Sequence, residues 1–222
     1  MFIAVHQPIF VETVQMKCIV LADDPGWEEL FEGKQALVEL VKLSSREELF
    51  QSPADAYFDL RDEAWDLPAY PPDSTKPVFI SAVSGTLSGH HSPDNFIRIN
   101  AWPGMLKRER MECVASQKIQ PDGERILGML NKQVEWLPDT PGMVLPRVLS
   151  MIINEAWFAW GEGVSSKADI DTAMQLGTNY PLGPFAWGEK IGLDRICRLL
   201  SVLSSDDERY QIAPALFKEV GL

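Results

Sequence analysis

An α/β domain followed by an all-α domain is what this sequence predicts, and three observations carry that prediction. Up to about Asn131, short apolar, β-branched runs alternate with polar stretches, each run of a length suited to a buried strand. Helix-like pieces lie between several of them, which argues for a mainly parallel sheet. After Trp136 the turn residues Asp139-Thr140-Pro141-Gly142 introduce a long apolar helix, Val144 to Trp160, and the spacing of apolar residues becomes helical. The boundary is therefore set at residues 1–138 and 139–222.

The expected strands, in order, are Phe2 to Val5, Lys17 to Ala22, Ala36 to Val41, Ala56 to Leu60, Val78 to Ser81, Phe96 to Asn100 and Met111 to Val114. Between them, Ser45-Arg46-Glu47-Glu48 has a helix-capping pattern, and Gly123 to Leu130 repeats apolar residues at helical spacing. The Pro-rich stretch Leu67 to Pro77 reads as a loop before a strand. In the second half, Ser166-Lys-Ala-Asp169 caps a helix that stops at Gly177. Pro181 and Pro184 mark a turn, and Leu193 to Leu203 is a further amphipathic helix.

Composition excludes several partners. The 222 residues are 45% hydrophobic and carry a net charge of −12, so no basic face is expected to hold nucleic acid. No apolar run is long enough for a membrane span, and a soluble, cytoplasmic protein is expected. Cys18, Cys113 and Cys197 are far apart and odd in number, which implies neither a disulfide framework nor a zinc site; they are read as buried thiols.

The segments Asp139-Thr-Pro-Gly-Met-Val144, Ile153-Asn-Glu-Ala156, Glu162 to Gly177, Tyr180-Pro-Leu-Gly-Pro-Phe185 and Ile191-Gly-Leu-Asp194 stand in one order over about sixty residues. Together they closely resemble the C-terminal domain of 3-hydroxyacyl-CoA dehydrogenases. A weaker resemblance covers the first half. Cys18-Ile-Val-Leu-Ala-Asp23 is similar to the family's second strand, Ala54 to Asp59 to its fourth, and Pro77 to Leu87 to the strand and loop bearing its Asn-Thr-Ser-Ser-Leu motif. The resemblance implies a Rossmann-like N-terminal domain that binds NAD, a helical domain that closes an acyl-CoA site and forms a dimer, and hydride transfer between C3 of the acyl chain and nicotinamide.

The family's site residues are largely replaced. Its chemistry uses a His, held by a Glu, to take the proton of the 3-hydroxyl, because imidazole titrates near neutrality. Asn100 stands in the place of that His, and a carboxamide does not titrate; Glu112, twelve residues on, retains the partner's place. Glu112 either orients a site group or makes a structural hydrogen bond. Gly85 replaces the first Ser of the Asn-Thr-Ser-Ser-Leu motif, although Ser84 and Thr86 flank it and a one-residue slip would restore a hydroxyl. Pro146 replaces the family's Asn and is expected to mark a restart or kink of the helix.

Cofactor residues are sparse as well. A dinucleotide turn needs Gly-x-Gly-x-x-Gly after the first strand, whereas Ile3 to Val11 contains no glycine and places His6, Gln7 and Pro8 at the turn. Asp23 matches the acid that bonds the adenosine ribose, or is a turn residue. The link from Asp23 to Phe58 is too short for the family's lysine-bearing helical pair, and its acidic part, Asp24 to Glu32, would repel CoA phosphate. No cofactor is therefore expected; NAD would be the cofactor if the chain is an active enzyme.

His90 and His91 could swing toward the vacated catalytic place, or face solvent. Trp157, Trp160 and Trp187 are either partner contacts or core. Two functions stay open: a catalytically impaired dehydrogenase homologue acting as a homodimeric interaction or ligand-binding protein, with an acyl-CoA-like small molecule as its ligand, and an active NAD-dependent oxidoreductase with rearranged residues.

Overall fold

The structure is a computed structural model and describes residues 16–31, 38–65 and 75–221. The expected first strand, Phe2 to Val5, and the expected turn at His6 to Pro8 lie outside the described residues. Among the described residues, seven strands form one sheet: β1 (Met16–Leu21), β2 (Val38–Leu43), β3 (Ala56–Asp59), β4 (Val78–Ser81), β5 (Phe96–Ile99), β6 (Arg110–Ala115) and β7 (Gln133–Trp136). Their spatial order is β2-β1-β3-β4-β5-β6-β7. All neighbours pair in parallel except β5 and β6, which are antiparallel.

The short strands β3, β4 and β5 are buried along their whole length, as parallel strands covered on both faces must be. Their side chains alternate between two cores. Cys18, Val20, Phe58 and Phe79 enter one core, with Phe58 and Phe79 stacked at 4.4 Å. Ile19, Leu21, Tyr57, Val78 and Ile80 enter the other. Helix α1 (Asp24–Phe31) and helix α2 (Gln120–Met129) cover the first core, α1 through Leu30 and Phe31.

From Leu145 onward the chain is helical: α3 (Leu145–Gly161), α4 (Lys167–Thr178), α5 (Pro184–Ile191), α6 (Leu193–Ser204) and α7 (Pro214–Val220). They surround a third core that includes Trp157, Phe185, Leu199 and Leu216, and that Val83, Trp102 and Met105 from the sheet region complete. Asn154 on α3 pins α7 by donating to the Gln211 carbonyl and accepting from the Ala213 amide, at 2.8 and 2.9 Å.

Several expectations hold in place, and some are corrected. Ser166 caps α4, its hydroxyl accepting from the Asp169 amide at 3.2 Å. Pro146 sits in the first turn of α3, where a missing N–H costs nothing, so the helix starts there and is not kinked. Ser45 to Phe50 forms a single 3-10 turn at Arg46–Glu48. Strand β7 and helix α1 were not anticipated, and the segment read as a turn at Pro184 opens α5.

The main correction concerns Cys18 to Asp23. That strand is β1 and lies between β2 and β3, which is the place of the first strand in a doubly wound sheet, not the second. Val38–Leu43 takes the second place. Asp23 consequently sits where the phosphate turn of such a fold would lie, and not at the ribose position.

Candidate functional site

The sheet order reverses at β1 and β3, and ligands of open α/β sheets bind beyond the carboxyl ends of the strands at that point. A crevice of about 220 Å³ is found there, between Asp23, Gly26, Asp62, Ser81, Trp102 and Arg195. Its helix terminus is already engaged. Asp23 Oδ1 accepts from the Gly26 amide at 2.8 Å, and Pro25 has no N–H to offer. A carboxylate of the chain thus occupies the position at the N-terminus of α1 that a phosphate would need. On the opposite wall, Glu29 accepts from the Gly104 amide through both oxygens, at 2.8 and 2.9 Å.

A second group of backbone amides follows β4 and is also filled from within. Glu63 Oε1 accepts from the amides of Val83 and Ser84 at 2.9 and 2.7 Å, and Oε2 accepts from the Trp65 indole at 3.0 Å and the Gly85 amide at 3.3 Å. Glu63 reaches them from a left-handed backbone, φ 49°. Trp65 lies over Gly85 so closely that a Cβ there would stand 2.7 Å from Nε1, which leaves no room for the serine that the resemblance places at this position. Of the flanking hydroxyls, Ser84 Oγ is buried without a partner among the described residues, and Thr86 Oγ1 accepts from the Gly89 amide at 3.0 Å. Asp62, next to Glu63, ties the segment to α6 through Arg195 and Arg198, at 3.2 and 2.6 Å.

Asn100 and Glu112 meet as the sequence placed them. Asn100 Nδ2 donates to Glu112 Oε2 at 3.1 Å, while Asn100 Oδ1 accepts from the Trp102 amide at 3.3 Å. The other Glu112 oxygen accepts from the Leu145 amide at 2.8 Å, at the start of α3. Both oxygens of the carboxylate are therefore engaged, and the pair joins the end of β5 to the first turn of the helical domain. Nothing in it takes up or releases a proton at neutral pH through the residue at position 100.

A buried ion pair lies beside these groups. Arg98, fully buried on β5, donates to Asp139 at 3.1 Å, to the Thr140 carbonyl at 2.6 Å and to the Gly85 carbonyl. Burial works against the charge of Asp139, but the Ser88 and Leu87 amides, the Ser88 hydroxyl and Arg98 outweigh it and hold the carboxyl below its usual range. Burial likewise lowers the affinity of Arg98 for its proton, with Asp139 and Glu63 acting the other way. This pair fixes the loop after β4 to the entry of the helical domain.

The remaining sequence candidates fall away from this centre. His90 and His91 are exposed, with His90 stacked on Trp65 at 3.9 Å. Trp157 is core, Trp160 is 36% exposed, and Trp187 lines a cavity of the helical domain. The three cysteines are buried, and burial pushes the thiols of Cys18 and Cys197 up to about 12 and about 11. Sequence reasoning missed Glu63 and the Arg98–Asp139 pair, for which no local signal exists. The Asp23 cap was readable in Asp23-Asp24-Pro25, an acid followed by proline in a first turn.

A doubly wound sheet with an all-helical domain packed against it defines a Rossmann-like two-part architecture. Residues 142–221 match the model of the 3-hydroxyacyl-CoA dehydrogenase, C-terminal domain. The C-terminal part of the chain is therefore similar to the C-terminal domain of 3-hydroxyacyl-CoA dehydrogenases. It is 45% identical over 109 residues to a 3-hydroxyadipyl-CoA dehydrogenase of Escherichia coli K12, covering 46% of this chain and 23% of that protein. To a 3-hydroxybutyryl-CoA dehydrogenase of Clostridioides difficile it is 32% identical over 145 residues, covering 63% and 52%. The chain thus spans about half or less of the curated relatives' length. The crystal structure of (S)-3-hydroxybutyryl-CoA dehydrogenase from Ralstonia eutropha shares the fold, with a TM-score of 0.68 at 18% identity over 93% of each chain.

The family is NAD-dependent, and the described residues do not fit that cofactor at the crevice. The amide of Gly26 at the α1 terminus and the amides after β4 are taken by Asp23 and Glu63, and acidic side chains outnumber basic ones among Asp23, Glu29, Asp62, Arg61 and Arg195. Among the described residues, no helix is long and apolar enough to cross a membrane.

Proposed function

We propose that this chain is a catalytically impaired member of its family, without the usual mode of NAD binding, that acts in the cytoplasm as a homodimeric ligand-binding or interaction protein. The observation that carries the reading is the pair at the family's acid–base position: Asn100, which has no titratable proton, bonded to a Glu112 whose two oxygens are both engaged. Loss of a general base alone costs on the order of 10²- to 10⁴-fold in rate. The self-filled amides at α1 and after β4 support the same reading, since they leave the cofactor nothing to replace without displacing Asp23 and Glu63.

The test is direct. Titration of NADH, followed by nicotinamide fluorescence, is expected to show no saturable binding, and acetoacetyl-CoA is expected not to be reduced. Saturable binding with turnover would overturn the reading in favour of an active oxidoreductase.

Dimerisation through the helical domain is supported by its surface. Helix α4 buries none of its residues, and Val164 and Leu176 are exposed at 70 and 82%. Light scattering at micromolar concentration is expected to give twice the chain mass; a monomer would count against the dimer.

A further inference from the structure

Beyond Asn100 and Glu112, the hairpin between β5 and β6 carries a feature that the family's catalytic groups do not account for. Lys107, Arg108 and Arg110 are exposed on this one turn. Among the described residues none of the three forms a side-chain hydrogen bond or ion pair, in a chain whose net charge is −12. The turn itself is held firmly. The buried Lys132 ammonium donates to the carbonyls of Leu106 and Arg108, and Glu109 accepts from Gln133 at 2.6 Å. A set of cations kept in place while their own charges stay unpaired is a candidate anion site.

Beside it opens an apolar cavity of about 330 Å³, walled by Met105, Leu145, Val148, Leu149, Ile152 and Trp187. That volume lies at the low end of the range for small-molecule sites, roughly 300–1,000 Å³. Arg108 belongs to the walls of this cavity and also to those of a smaller one of about 70 Å³, which contains Arg110, Asn100 and Glu112. Lys190 adds a fourth cation, its ammonium 5.2 Å from the centre of the Trp187 ring. The acids of the smaller cavity are Glu112, whose oxygens are engaged, and Glu135, which is exposed.

We infer that this cavity binds a medium-chain aliphatic monocarboxylate, with its chain against α3 and Trp187 and its carboxylate on Arg108 and Arg110. The inference rests on the ligand-binding reading above and names the ligand class for it. A carboxylate suits the fork of a guanidinium, and the apolar wall receives the tail without burying a polar group. A single negative charge is favoured over the several of a CoA ester, because Glu109 and Glu135 stand close to the cations and the chain as a whole repels anions.

Isothermal titration calorimetry of the intact protein with octanoate, octan-1-ol and octanoyl-CoA tests the assignment. Octanoate is expected to bind at one site per chain, and octan-1-ol about tenfold more weakly because it lacks the charge-assisted bond. Arg108→Glu, an exposed change, is expected to weaken octanoate by about tenfold or more, and Val148→Trp, which fills the cavity from a half-exposed position, to abolish binding. Equal affinity for octan-1-ol, binding unchanged in Arg108→Glu, or binding of octanoyl-CoA alone would each overturn the proposal. So would a halving of molecular mass on adding octanoate, which would make a second copy of the chain the occupant. The NADH titration on the same preparation reports separately on the catalytic reading, so the two fail independently.

Discussion

Replacing Arg98 by methionine is expected to lower the unfolding free energy by about 3 kcal/mol. The guanidinium is fully buried and serves Asp139 together with the carbonyls of Gly85 and Thr140, so its removal leaves three acceptors without their donor. Breaking a buried pair costs roughly 3–5 kcal/mol, and the lower end applies because Asp139 keeps 25% of its side-chain exposure and its bonds to Leu87 and Ser88. The carboxyl of Asp139 is held below its unfolded value, so its contribution is complete above about pH 4 and declines as the pH falls through the depressed folded value. In the Arg98→Met protein part of that depression is gone, and the acid-side decline is expected to be smaller and to finish at higher pH. Urea unfolding at pH 7 and pH 3.5 measures both; a change under about 1 kcal/mol at pH 7 would show that the pair does not hold the loop to the helical domain.

Removal of the Glu112 carboxylate is the second large effect. Glu112→Ala leaves the Leu145 amide and Asn100 Nδ2 without an acceptor, at about 1–3 kcal/mol for each buried donor, or roughly 2–6 kcal/mol together. Glu112→Gln keeps an oxygen for Leu145 and is expected to lose about half as much. Thermal unfolding of the two variants separates a structural carboxylate from a catalytic one. If Glu112→Ala is as stable as the parent chain, the carboxylate is not a strut and an acid–base role returns to consideration.

These two sites differ in how far they could be read in advance. Asn100 and Glu112 were paired by their twelve-residue separation within a resembling motif, and the antiparallel β5–β6 pairing brings such a spacing together across a hairpin. Arg98 and Asp139 are 41 residues apart and belong to different parts of the fold. No periodicity or local motif marks such a contact, because it follows from where β5 ends relative to the entry of α3. Glu63 is a similar case, since an acid after a strand is ordinary until the amides of Val83 to Gly85 are seen to converge on it.

The strand positions show the same division. Burial on both faces leaves a continuous apolar signature, so β3, β4 and β5 were legible within a residue or two. Their neighbours were not, because parallel strands pair through crossovers that leave no mark in the strand itself, and Cys18 to Asp23 was placed one strand away from its position. Helix α1 was hidden by its acidic surface, with only Leu30 and Phe31 buried.

The sequence by itself determined most of the elements and the chemistry of position 100: an apolar period sets helix or strand locally, and an amide there has no proton to exchange whatever surrounds it. Only the tertiary structure decided that Asp23 and Glu63 accept from the backbone amides at the start of α1 and after β4, because hydrogen-bond acceptors are assigned by distance in space and not by separation along the chain.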